Sequence, residues 1–105
     1  MKILAIARVD AQTTHEKIRP HLEAEVVQAW KMYKDGTCRE MYSCVDRRMG
    51  VVFVLECADV DAAREILDEL PFVREKLIDF EVIPLGPFSF FETLFADRRP
   101  AQRGY

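Results

Sequence analysis

Long apolar runs are missing from this sequence. No stretch of its 105 residues approaches the ~20 apolar positions that a membrane-spanning helix needs, so a spanning helix is excluded and no membrane partner is expected. A basic excess is missing as well. Fifteen Lys and Arg stand against eighteen Asp and Glu, a net charge of −3. A nucleic-acid footprint would show a basic face or a high pI, so nucleic acid is not expected as a partner. The basic residues that do cluster, Arg98, Arg99 and Arg103, sit in the tail and read as a solvated end. Cysteine is scarce and odd in number: Cys38, Cys44 and Cys57. That argues against a disulfide framework. Six residues of extended chain would hold Cys38 and Cys44 on one face but about 20 Å apart, too far to bond or to share a metal. The three thiols read as reduced, small hydrophobes. With two histidines, neither near a cysteine, no metal site is expected. A phosphate loop and an assignable Ser-His-Asp set are also lacking. The first residues, MKILAIARVD, show no cleavage site of a secretory signal, and a cytoplasmic location is expected.

What is present fits one folded domain. Half the residues are apolar and 31% are charged, enough to offset chain entropy. Residues 2–9 (KILAIARV) read as a strand. Thr13 and Glu16 match a capping box, which starts a helix near Thr14 that runs to about Asp35 and stops at Gly36. Pro20 lies inside it and either kinks the helix or sets off its first turn. Residues 37–46 and 51–57 read as an antiparallel hairpin around the turn DRRMG. Asp59 or Asp61 caps a second helix as far as Leu70, where Pro71 stops it. Residues 77–85 form the last strand, closed by Gly86 and Pro87. The order β-α-β-β-α-β predicts an α+β, ferredoxin-like domain over residues 1–96: a four-stranded antiparallel sheet with two helices on one face, then a polar tail over 97–105.

Residues 51–55 (VVFVL) are apolar on both strand faces, and residues 3–7 nearly so. Two helices cover one face only. A second copy of the sheet is the simplest cover for the other, giving a homodimeric α/β barrel. The aromatic segment Phe88, Phe90, Phe91, Leu94 and Phe95 is expected to dock on the partner subunit.

One acid stands out. At 100° per residue from Ile18, the positions Leu22, Val26, Ala29, Trp30 and Tyr33 make an apolar stripe, and Glu25 falls beside it at about −20°. A carboxylate against an apolar wall has a raised pKa, which suits a general base at neutral pH. His21 lies one turn earlier, within reach of Glu25. These two are the candidate catalytic residues; the alternative is a Glu25 that snorkels to a surface pair. On the hairpin, Cys38, Glu40, Tyr42 and Cys44 share one face and Arg39, Met41, Ser43 and Val45 the other. Tyr42 can donate to a ligand oxygen, and Arg39, Arg47 or Arg48 can grip a carboxylate. Tyr42, Arg39 and Arg48 are therefore candidate substrate-binding residues. Arg47 and Arg48 also read as a solvated turn, and Glu40 and Tyr42 as cross-strand partners.

Three segments resemble the muconolactone isomerase-like family: DGTCRE (35–40), VVFVLECADVDAAREILDELP (51–71) and LIDFEVIPLGPF (77–88). The likeness spans most of residues 1–90, and related uncharacterised proteins carry similar REMY and IPLGPF segments. Aligned on Gly36 and Thr37, the family's catalytic glutamate falls on Glu25. The resemblance implies cofactor-free proton transfer on a small lactone or carbonyl compound, with the double bond moved between carbons. After the hairpin turn, where the isomerase is polar, this chain has Arg48, Met49, Gly50, Val51 and Val52. Two other functions stay open: a non-catalytic small-ligand-binding or accessory barrel, and a cofactor-free oxygenase on this fold, by analogy alone.

Overall fold

The computed structural model describes residues 1–95. The predicted polar tail, with Arg98, Arg99 and Arg103, lies outside the described residues. The elements are β1 (Lys2–Val9), α1 (His15–Ile18), a 3-10 turn (Arg19–His21), α2 (Leu22–Lys34), β2 (Cys38–Ser43), β3 (Val51–Glu56), α3 (Val60–Asp68), α4 (Pro71–Arg74), β4 (Ile78–Pro84) and a second 3-10 turn (Ser89–Leu94). The strands pair antiparallel in the order β2-β3-β1-β4. This is the expected α+β, ferredoxin-like architecture. Among the described residues no helix is long and apolar enough to cross a membrane.

The core lies between the sheet and the helices. Ile3, Ala5, Phe53, Leu55 and Phe80 meet Met32, Ala63, Leu67 and Leu70 there. The alanines of central β1 leave room for Phe53 and Phe80 to touch above them, with ring centroids 5.4 Å apart. On the other face of the sheet, Leu4, Ile6, Val52, Val54 and Ile83 stand half-buried with no helix over them.

Several local details differ from the sequence reading. The cap of α1 is Thr14, whose hydroxyl accepts from the Lys17 amide at 3.3 Å. Thr13, one residue earlier, is buried, and its hydroxyl donates to the Leu77 carbonyl at 2.8 Å. Asp59 caps α3 as expected, accepting from the Ala62 amide at 2.8 Å. Pro71 ends one helix and starts another: it opens α4, since a missing N–H costs nothing at the first helical position. Gly36 follows α2 at φ +85°, a left-handed position that suits glycine.

The strand faces of β2 are also corrected. Cys38 pairs with Leu55 and Glu40 with Val54, so Arg39 is an extra residue in a bulge. The bulge turns Cys38 to the helix side together with Met41, and leaves Glu40 and Tyr42 on the outer side. Cys38 is thus buried in the core instead of sharing a face with Tyr42. Its thiol donates to the Glu40 carbonyl at 3.1 Å, and burial pushes its pKa up to about 11. The three cysteines are free thiols.

The largest departure is the phase of α2. Pro20 breaks the long helix, and residues 19–21 wind as a 3-10 turn. That turn advances about 120° per residue instead of about 100°, so α2 gains about 60° over three residues. Glu25 and Met32 therefore take the centre of the buried side. Leu22, Val26, Trp30 and Tyr33, expected in the core, turn outward and stand about half exposed.

Candidate active site

A cavity of about 530 Å³ lies between the helical segment and the sheet. It lies at the end of the sheet where β4 begins and β3 begins, lined from there by Ile78, Val51 and Phe53. Ile18, Leu22, Val26 and Ala29 form the helical wall, and Phe72 of α4 closes the back. The walls are dominated by aliphatic and aromatic carbon. That size and lining suit a small organic ligand.

Glu25 is the acid in this wall, and it is 7% exposed. Its Oε1 accepts a hydrogen bond from the Phe72 amide at 2.9 Å. Leu70, the cap residue of α4, offers no side-chain bond, so a carboxylate from another helix satisfies an orphan amide of the first turn. The other oxygen, Oε2, carries no such bond among the described residues, and it is not sealed from solvent. Burial raises the Glu25 pKa above the ordinary carboxylate value, and the Phe72 bond partly opposes the rise. A carboxyl group tuned upward beside an apolar cavity can take and return a proton near neutral pH.

The remaining candidates are distributed unevenly. Tyr42 is at the cavity's edge by its place on β2, but its side chain belongs to the outer face of the sheet, where its hydroxyl donates to Glu40 Oε1 at 2.7 Å. His21 sits half-buried at the end of the 3-10 turn and does not line the cavity, and the Glu25 bond goes to Phe72 instead. Arg39, in the bulge, lies toward Glu56 at the far end of the sheet. Arg48 donates from Nη2 to the Thr13 carbonyl at 3.0 Å, tying the hairpin turn to the loop before α1. Neither arginine lines the cavity. Arg47 pairs with its neighbour Asp46 on the exposed turn.

The lining residues that were not site candidates in the sequence include His15, Ser43, Met49 and Phe72. His15 is on the exposed first turn of α1, and that turn borders the cavity. Met49 reaches it through a left-handed backbone, φ 56°. Phe72 carried no sequence signal, because its relation to Glu25 spans 47 residues. Among the described residues, no group of three or more His, Cys, Asp or Glu is placed to hold a metal ion.

Muconolactone isomerase superposes on 84% of this chain and 93% of its own, with a TM-score of 0.65 and 20% identity. The chain has the muconolactone isomerase-like fold. A second solved structure with this fold is the 5-chloro-2-hydroxyhydroquinone dehydrochlorinase TftG from Burkholderia phenoliruptrix AC1100, in complex with 2,5-dihydroxybenzoquinone. It covers 84% of this chain and 97% of its own, with a TM-score of 0.64 and 11% identity. No protein-family profile and no curated sequence matches the chain.

Proposed function

We propose that this chain is a cofactor-free proton-transfer enzyme acting on a small lactone or other carbonyl compound. The observation that carries this reading is the buried Glu25 carboxylate in the wall of an apolar cavity. The Glu25 carboxylate removes a proton from the carbon next to the carbonyl, and the electron pair passes into the carbonyl to give an enolate. The Glu25 carboxyl proton exchanges with solvent through the open Oε2, and Glu25 then delivers a proton to the far carbon of the conjugated system. The double bond has moved, and the enzyme is unchanged. Phe72 holds one oxygen of the carboxylate, which leaves the other to face the carbon. Two solved structures with this fold are named as a muconolactone isomerase and a 5-chloro-2-hydroxyhydroquinone dehydrochlorinase, and they support the substrate class by analogy.

The test is deuterium incorporation in D₂O, followed by NMR, with muconolactone and a panel of enolisable lactones and ketones. Incorporation by wild type and its loss in Glu25→Gln is expected. No incorporation by the folded wild type on any of them defeats the reading. A second function is favoured by the Glu25–Phe72 bond itself: a binding module in which Glu25 only anchors α4. Saturable binding without exchange selects it.

We also propose that two copies pack sheet to sheet as a dimeric α/β barrel. The uncovered outer face of Leu4, Ile6, Val52, Val54 and Ile83 supports this, as do the exposed rings of Phe88, Phe91 and Phe95. Light scattering at micromolar concentration should give twice the chain mass or more; a monomer refutes it.

A further inference from the structure

The charge of the ligand is written in what the cavity wall lacks. Among the described residues, no lysine or arginine lines the cavity. Arg48, the nearest by sequence, is held by one Nη2 bond to the Thr13 carbonyl and does not line the cavity, and Arg39 stands at the far end of the sheet. Among the described residues, His15 is the one lining side chain able to carry positive charge, and it sits exposed on the first turn of α1, where water screens it. Glu25 already places a carboxylate in the same space. An anionic ligand group entering here would leave water without a cationic partner and would meet a like charge. A neutral ligand meets a mainly apolar wall and Glu25, with the polar groups of His15 and Ser43 also at the cavity.

We propose that the cavity selects an uncharged, largely apolar carbonyl compound and rejects one that bears a carboxylate. This rests on the reading that the Glu25 cavity is the substrate site, but it concerns binding and not turnover. It also separates the chain from an enzyme that must grip a substrate carboxylate.

Three ligands of one skeleton test it: a γ-pentyl butenolide, the congener whose chain ends in a carboxylate, and the methyl ester of that congener. Dissociation constants are measured by calorimetry at neutral pH on the full chain. The neutral butenolide and the ester should each bind about ten-fold tighter than the carboxylate, or better, a gap of about 1.4 kcal/mol. The ester controls for size. Val26→Arg, on the half-exposed rim, should close or invert the gap by supplying the missing cation. Wild type that binds the carboxylate as tightly as the ester overturns the proposal, and so does a failure of both neutral ligands to bind up to their solubility. Neutral ligands that bind with the expected preference but show no Glu25-dependent deuterium exchange uphold the charge selection and defeat the enzymatic reading. Exchange on a carboxylate ligand that also binds best does the reverse.

Discussion

Glu25 on α2 and Phe72 on α4 are joined by a hydrogen bond of 2.9 Å from the Phe72 amide to the Glu25 carboxylate. One side chain thus both lines the cavity and caps the first turn of a four-residue helix. The bond explains why a buried acid is tolerated: its position is fixed by a partner that cannot be mutated away. It also means that changes at Glu25 act on stability and on chemistry together, and that the two can be separated by the choice of substitution.

Glu25→Gln keeps an oxygen that can accept from Phe72, whereas Glu25→Ala orphans that amide. Glu25→Ala should therefore fall about 1–3 kcal/mol below Glu25→Gln in urea unfolding. Wild type has a pH slope that neither variant shares. Its folded state holds the Glu25 proton more tightly than the unfolded chain does. The stabilisation from that proton is complete below the ordinary carboxylate pKa, and it is lost as pH climbs through the raised value. Thermal melts should show Glu25→Gln gaining on wild type across this window and holding its lead above it. A constant difference from about pH 4 to about pH 8 would contradict the raised pKa.

The same shift sets the rate profile. The base must be ionised, so kcat/KM for exchange should rise with pH and level off once the Glu25 pKa is passed. The acid limb should lie above the ordinary value of about 4.3 for a glutamate. A limb at or below that value would assign the proton to a different group.

Thr13 is buried, and its hydroxyl is committed to the Leu77 carbonyl at 2.8 Å, between the loop that enters α1 and the start of β4. Thr13→Val preserves shape but strands that carbonyl. A loss of about 1–3 kcal/mol is expected by chemical denaturation. Thr14→Val, at the exposed cap, should cost about 1 kcal/mol.

The thiols should react in order of access. Cys38 is buried with its pKa pushed up to about 11, whereas Cys44 is half-buried. Limited alkylation with iodoacetamide, read by peptide mass spectrometry, should modify Cys44 first and Cys38 only on unfolding. Early labelling of Cys38 would mean that the bulge at Arg39 does not hold it inward.

The strand order and the helix ends were legible because local signals carry them. The apolar runs at residues 2–9 and 51–57 mark strands, and Asp59 and Gly36 punctuate helices by mechanisms that act within a few residues. Three features were not legible. The bulge at Arg39 carries Cys38 to the core face, away from Glu40 and Tyr42, yet no local pattern announces it, since alternation reads the same until the pairing register is known. The capping pattern at Thr13 is displaced by one residue because a tertiary bond to Leu77 claims that hydroxyl. The stripe of α2 was drawn at one angular step throughout, and the three tighter residues after Ile18 carried it off the core. Glu25 was singled out by its place beside apolar positions, whereas Phe72, far along the chain, could be found only from the fold.

The 3-10 turn at residues 19–21 sets the azimuth of everything that follows it in α2, and so constrains length more than composition. A substitution within it leaves the angular register intact as long as Pro20 stays. Deleting or inserting a single residue there would turn the helix by about 100–120°. The Glu25 carboxylate would swing away from the cavity and Phe72, and Ala24 after an insertion, or Val26 after a deletion, would take the position it left. A chain of this fold can therefore drift in the identity of its link residues at little cost, while a one-codon slip in the same place would disarm the site.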